Sequence, residues 1–308
     1  MFKLSVFTVA TPDLEPAELC AAARDAGIQG VEWRCKETPA ELLSEPPSFW
    51  GNNRCTIAPG ASDREAALIR DTAASHGLQN IALVPYLACG DIEGTEARFR
   101  LASSLGATMV RIGVPGYRAD SRYSELLESA YAYMDQVDEL ARDYGIKALV
   151  ETHHETIAAS ASAAWRLVSR YSPDRFGVLY DPGNMIHEGM EQWRLGMEVL
   201  GPYLAHVHVK NASWYPVVDL ADGQPHPNAA TASGAGGPEP DPLTPVNWKC
   251  VWRPIASGTV PWKRVLAALK SVGYNGWLGV EDFSLAYGSQ EMLANFVRQI
   301  RAWEEELE

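Results

Sequence analysis

The chain has 308 residues, 46% of them hydrophobic, and a formal charge of −13 from 26 basic and 39 acidic side chains. Such a length can bury a large core in one α/β domain or two smaller ones, while the acidity argues against a nucleic-acid partner and against diffuse attraction to anionic membranes. The five cysteines are scattered and lack Cys-x-x-Cys spacing, which argues against a cysteine-ligated zinc site and suits a reduced, cytoplasmic setting.

The N-terminal apolar stretch, Leu4 to Ala10, is short and runs through Thr11-Pro12-Asp13 into a helical pattern, so it reads as a first strand and not a leader. No later run approaches the roughly 20 apolar residues of a membrane helix, and no membrane partner is expected. From that strand onward short β-branched runs alternate with longer stretches of helical periodicity. The predicted strands are Phe2 to Val9, Gly30 to Arg34, Asn80 to Val84, Thr108 to Ile112, Lys147 to Glu151, Phe176 to Asp181, Leu204 to Val209 and Trp277 to Glu281. Helices are predicted over Pro16 to Ala26, Asp63 to His76, Glu96 to Leu105, Ser124 to Tyr144, Ala161 to Tyr171, Pro261 to Val272 and Ser289 to Glu306. Eight strands with intervening helices predict a single-domain α/β chain over residues 1–308, a (β/α)8 TIM barrel with its site at the strand C-termini.

Two stretches break this rhythm. A Pro-rich, aromatic connection runs from Glu45 through Trp50 to Gly60 after the second strand. A longer insertion after the seventh strand, residues 211–258, has an Ala/Gly-rich centre at Ala229 to Gly237 and carries Trp214, Tyr215, Trp248 and Trp252. It reads as a loop with a mobile centre and ordered aromatic ends, since long loops inside compact domains are either functional or disordered. Trp33, Tyr86, Trp214, Trp248 and Trp252 are candidates to pack on the faces of a bound substrate, although aromatics more often belong to the core.

Four segments place a carboxylate or imidazole at the end of a predicted strand: Val-Glu151-Thr-His153, Tyr-Asp181-Pro-Gly-Asn184, His206-Val-His208-Val-Lys210 and Gly-Val-Glu281-Asp282. Each alone has an ordinary explanation, such as turn chemistry for Asp181 before Pro-Gly. Together, at the ends of strands five to eight, they converge on one point, and carboxylates with one imidazole suit Mn2+, Mg2+, Co2+ or Zn2+. His206 and His208 share a face, so parity does not choose between them, whereas Glu281 and Asp282 point to opposite sides. Glu32 and Arg34 on strand two, Arg111 on strand four, and His153, Asn184 and Lys210 near the later strand ends are expected to bind substrate: a guanidinium holds a carboxylate, phosphate or hydroxyl, and an imidazole binds a hydroxyl or carries a proton.

With Gly-Val-Glu32-Trp-Arg34 and Gly-Tyr-Asn-Gly-Trp-Leu-Gly-Val-Glu281-Asp-Phe added to these motifs, nearly the whole chain resembles the sugar phosphate isomerase/epimerase family of xylose-isomerase-like TIM barrels. The resemblance implies that Glu151, Asp181, His208 and Glu281 hold one divalent metal, Mn2+ being the first expectation. His208 is preferred to His206 because the family's ligand opens the His-x-Lys segment. It further implies isomerisation or epimerisation of a keto-sugar or related polyol through a metal-stabilised enediolate, with Glu151 and Glu281 as acid and base, and a homo-oligomer. Asn184 stands where related members often carry His, which implies a hydroxyl or water contact and not proton transfer. The runner-up is a lyase, dehydratase or hydratase acting on a keto-sugar, an inosose or a 3-keto-glycoside, because the same intermediate can expel a β-oxygen. An apurinic-site endonuclease is disfavoured by Asn184 and the negative charge, and a non-catalytic metabolite-binding module has no need of both glutamates. No Gly-rich phosphate cradle follows strands seven and eight, which favours an unphosphorylated carbohydrate as the small-molecule substrate.

Overall fold

A computed structural model describes residues 1–216 and 248–307. Its parallel strands are β1 (Lys3–Phe7), β2 (Gly30–Cys35), the two-residue β3 (Thr56–Ile57), β4 (Gln79–Pro85), β5 (Met109–Arg111), β6 (Lys147–Glu151), β7 (Phe176–Tyr180), β8 (Leu204–Val209) and, after an antiparallel pair, β11 (Trp277–Val280). They follow one another in the order β1-β11-β8-β7-β6-β5-β4-β2, and pairing of β1 with β2 closes the ring. The result is the expected eight-stranded (β/α)8 barrel, with β3 appended to the end of β2.

Helices α1 (Pro16–Ala26), α2 (Asp63–Ser75), α3 (Ile92–Leu105), α4 (Tyr123–Tyr144), α5 (Ala161–Val168), α6 (Pro182–Met185), α7 (Trp193–Leu200), α8 (Trp262–Ser271) and α9 (Ser289–Glu305) fill the crossovers. Local chemistry sets several of their starts. Ser62 accepts from Glu65 N–H while the Glu65 carboxylate accepts from Ser62 N–H, a reciprocal cap on α2, and Asp91 accepts from Gly94 N–H at the start of α3. Helices α6 and α7 are absent from the sequence-based expectation, and α5 ends at Val168, three residues before the expected Tyr171. Among the described helices none is long and apolar enough to cross a membrane.

Strand parity divides the core. Outward residues such as Val110, Ala148, Val150 and Val178 join the main apolar layer beneath the helices, whereas Ile81, Met109, Leu149 and Leu179 form a separate cluster inside the barrel. On three consecutive strands the inward series then turns polar two residues later, from Met109 to Arg111, Leu149 to Glu151 and Leu179 to Asp181. Since residues i and i+2 share a face, the floor of the barrel is apolar and its C-terminal end carries charge.

The insertion after β8 opens with paired strands: β9 (Asn211–Pro216) runs antiparallel to β10 (Trp248–Arg253), in register from Asn211 opposite Arg253 to Pro216 opposite Trp248. The ends expected as aromatic loop are therefore an arm with backbone pairing. The Ala/Gly-rich centre, residues 229–237, lies outside the described residues.

Candidate metal centre and active site

Glu151 ends β6, Asp181 follows β7, His208 lies near the end of β8 and Glu281 follows β11. One ligand atom from each falls within 4.8 Å of the others. His208 Nδ1 is 3.5 Å from Glu151 Oε1, 3.6 Å from Asp181 Oδ2 and 3.3 Å from Glu281 Oε2, and it makes no hydrogen bond among the described residues. Asp181 divides its oxygens: Oδ1 accepts from Asn184 N–H at 2.9 Å and so caps α6, while Oδ2 lies 2.8 Å from Lys210 Nζ. The turn chemistry expected of Asp181 thus uses Oδ1, and Oδ2 is left facing the cluster. Asp282 points elsewhere and accepts from Ser284 N–H.

Behind His208 lies a second polar layer. Glu32 Oε1 accepts from His208 Nε2 at 3.0 Å and from His206 Nε2 at 3.1 Å, and His206 Nδ1 is 3.2 Å from the Trp277 carbonyl oxygen. Depth thus separates the two histidines that parity leaves equivalent: His208 faces the carboxylates, and His206 sits a layer lower. Gly279 makes room for this layer, because a Cβ there would lie 3.2 Å from both Glu32 Oε1 and His206 Nε2. Phe7 stacks on the His208 ring with centroids 5.4 Å apart.

Cations balance the acids. Arg111 Nη1 donates to Glu151 Oε2 at 2.6 Å, and Lys210 Nζ donates to Glu281 as well as approaching Asp181. Lys210 reaches this position because α6 comes close to it: a Cβ on Gly183 would lie 2.8 Å from both Lys210 Cβ and Cγ. Burial alone raises a carboxyl pKa. At Glu151 that effect is outweighed by Arg111 and the neighbouring histidines, which hold it well below the usual carboxylate range, and at Asp181 it is outweighed by Lys210 and His208. Burial likewise pulls His208 down, but Glu32 and Glu281 outweigh it and raise the imidazole well above its ordinary value. The same balance raises Lys210, through Asp181 and Glu281.

A cavity of about 520 Å³ opens onto the cluster. Its polar side is formed by Arg111, Glu151, His153, Asn184, Lys210 and Glu281, and its apolar side by Trp50, Tyr86, Leu87, Trp252 and Phe283. Glu32 and Arg34, expected at the substrate, do not line it. Both are fully buried, Glu32 beneath His208 and Arg34 with Nη1 donating to Thr56 Oγ1 at 2.5 Å. Of the aromatic candidates, Tyr86 and Trp252 line the cavity, Trp33 belongs to the core with Nε1 donating to Asn80 Oδ1, and Trp214 donates to the Ile186 carbonyl. A larger groove, about 700 Å³, lies outside the barrel between α7 and α8 and contains none of the cluster residues.

Several side chains here carry little sequence signal of a place at the site. His154 stacks between His153 and His187 at centroid distances of 4.3 and 4.1 Å, and Trp252 closes the column 4.8 Å from His187. Burial, then the neighbouring imidazoles and Lys210, push His154 down to about 4, so it is neutral near pH 7. The only sequence signal for it was the His-His doublet after Glu151. Trp50 and Phe283 gave no periodic signal because they lie in connections.

Functionally curated proteins include no match to this sequence. Among solved structures, an L-ribulose 3-epimerase superposes with a TM-score of 0.67 at 15% identity, covering 100% of this chain and 96% of the other. A xylose isomerase-like TIM barrel protein from Mycobacterium smegmatis in complex with magnesium gives 0.64 at 16% identity, covering 100% and 98%. A probable 3-DHS dehydratase from Bacillus anthracis gives 0.61 at 17% identity, covering 97% and 99%. At these identities the likeness is one of fold. The family model for the xylose isomerase-like TIM barrel matches residues 20–307, and with the closed barrel and its strand-end cluster this places the chain in the xylose isomerase-like TIM barrel family.

Proposed function

We propose that the protein is a divalent-metal-dependent isomerase or epimerase of a keto-sugar or related polyol, with Glu151 and Glu281 as its acid and base. The observation that carries this reading is the convergence of Glu151, Asp181, Glu281 and a fully buried His208 whose Nδ1 lacks a hydrogen bond among the described residues. An imidazole nitrogen left open toward three carboxylate oxygens fits a hard or borderline divalent cation, and these four residues would hold it. Mn2+ remains the first expectation. When bound, such an ion supplies Lewis-acid polarisation of the substrate carbonyl, which lowers the cost of removing the adjacent proton.

The protein's own groups supply the remainder. Arg111 keeps Glu151 ionised, so Glu151 is ready to take the proton from the carbon next to the carbonyl, and Glu281, which also lines the cavity, takes up a proton from solvent and delivers it to that carbon. Lys210 fixes Asp181 and Glu281 from one side. Its ammonium lies 4.9 Å from the Trp252 ring and 5.2 Å from that of Phe283, which shield it from water. His153 and Asn184, both on the polar wall, orient substrate hydroxyls.

The test is incubation with a panel of keto-sugars in D2O, with and without Mn2+. Metal-dependent deuterium incorporation at the α-carbon, with carbon skeleton and oxygens retained, is the expected result, and Glu151→Gln should lower its rate by about 100-fold or more. Loss of water or of an aglycone would reassign the same residues to a lyase. Wild-type turnover by Glu151→Gln would remove the proton-transfer role.

A further inference from the structure

The two departures from the βα rhythm meet in space. The connection after β2 contributes Trp50 and the arm after β8 contributes Trp252, and both pack on Phe283, at centroid distances of 5.1 and 5.7 Å. Tyr86, just past β4, stands edge-on to Trp50 at 6.3 Å. Trp50 is 52% exposed and Tyr86 40% exposed, so the mouth of the cavity presents aromatic surface to solvent, continuous with the apolar wall inside.

Volume shows that this wall is more than a backing for a sugar ring. A six-carbon sugar of about twelve heavy atoms fills roughly 200 Å³ at interior packing density, against a cavity of about 520 Å³. Placed within reach of Glu151, Glu281, His153 and Asn184, such a sugar occupies the polar side and leaves the aromatic half empty. Half-exposed aromatic surface contiguous with a polar reaction centre marks a ligand groove, and its chemistry suits a flat apolar ring, which stacks offset or edge-on against Trp and Tyr. We infer that the substrate is a keto-sugar carrying an aryl or comparably flat apolar substituent, seated against the wall formed by Trp50, Tyr86 and Phe283 while the sugar lies against the carboxylates. The inference rests on the function proposed above for the polar half of the cavity.

Methyl and phenyl 3-keto-β-D-glucopyranosides, titrated calorimetrically into the full-length protein with and without Mn2+, test it. The wild type should bind the phenyl compound about tenfold or more tighter than the methyl compound, the gain expected from burying one aromatic ring. Trp50→Ala should reduce that ratio to about three or less, and Trp50→Tyr, which keeps a ring at the mouth, should retain most of it. A wild-type ratio near one, absence of binding by both compounds, or a ratio that Trp50→Ala leaves intact overturns the inference. A high ratio without any effect of Mn2+ would instead refute the metal-dependent reading while leaving the aromatic subsite standing.

Discussion

Glu32→Gln isolates the role of the layer beneath His208. The substitution keeps the side chain's size and an acceptor oxygen but removes the charge that faces His208 Nε2 at 3.0 Å and His206 Nε2 at 3.1 Å. In the wild type this carboxylate fixes the neutral ring so that Nε2 carries the hydrogen and Nδ1 faces the three acids, and it raises the basicity of the nitrogen that would bind metal. Loss of such a partner weakens metal binding by about 10- to 100-fold, or about 1.4–2.7 kcal/mol. Glu32 also helps to raise the His208 pKa, so the wild type meets more proton competition than the variant at low pH. The deficit of the variant should therefore be smaller at pH 6.5 than at pH 8.5. Mn2+ titration calorimetry at both pH values measures it, with thermal unfolding as a check on the fold and Asp181→Asn as a variant that loses a ligand outright. Affinity within twofold of wild type at pH 8.5, in a protein whose metal binding Asp181→Asn does weaken, would refute the assignment of Glu32 as the residue that positions His208.

His208 also predicts a proton balance. Burial lowers its pKa, but Glu32 and Glu281 raise it well above 6.5 in the metal-free fold. The stability it contributes there is fully present below pH 6.5 and is lost as pH rises through the folded value. Because that proton must leave before Nδ1 can accept a cation, Mn2+ binding should release about one proton and tighten with pH across the same window; calorimetric enthalpies that do not change with the buffer's ionisation heat would contradict this. Lys210→Met strands Asp181 and Glu281 without their buried cation, which should destabilise the metal-free protein by about 3–5 kcal/mol. Since a divalent ion would replace the missing charge, the rise in melting temperature on adding Mn2+ should be larger for this variant than for wild type, and an equal rise would count against a shared carboxylate cluster. Gly183→Ala forces a contact of 2.8 Å with the Lys210 side chain and should cost about 1–3 kcal/mol in denaturant unfolding; a neutral result would show that α6 can withdraw from Lys210 freely.

Much of the barrel is legible in the sequence because each strand is a short β-branched run between turn residues. The bounds of Lys147–Glu151 and Leu204–Val209 coincide with the expectation to the residue. What escapes has physical reasons. Helix α6 has only four residues, and α7 follows an irregular stretch with two short turns of its own, so neither offers a long periodic pattern. The β9–β10 arm escapes because its strands pair across more than 30 intervening residues, rich in Pro, Gly and Ala, that carry no hairpin signal. Within the site, strand ends identify Glu151, Asp181 and Glu281 as neighbours, but a linear pattern has no depth coordinate. Two polar residues of equal parity on one strand, Glu32 with Arg34 or His206 with His208, occupy successive layers of the interior, so one member of each pair lies below the level of the chemistry. Arg34 departs further, since β3 adds to the end of β2 and supplies Thr56 to its guanidinium.

The hydrogen bonds that Glu32 accepts from His206 and His208 span 174 and 176 residues of chain. Three of the four clustered groups come from β6, β7 and β8, neighbours in sequence and in the sheet, so a rough acidic nest can assemble while the barrel is still an open sheet. Its imidazole acquires a fixed orientation only when β1 has docked between β2 and β11 and the ring is complete. Closing contacts of this separation is slow and entropically expensive. On the metal-dependent reading proposed above, full affinity for a cation would be a property of the finished cylinder, and a half-folded chain would hold metal more weakly.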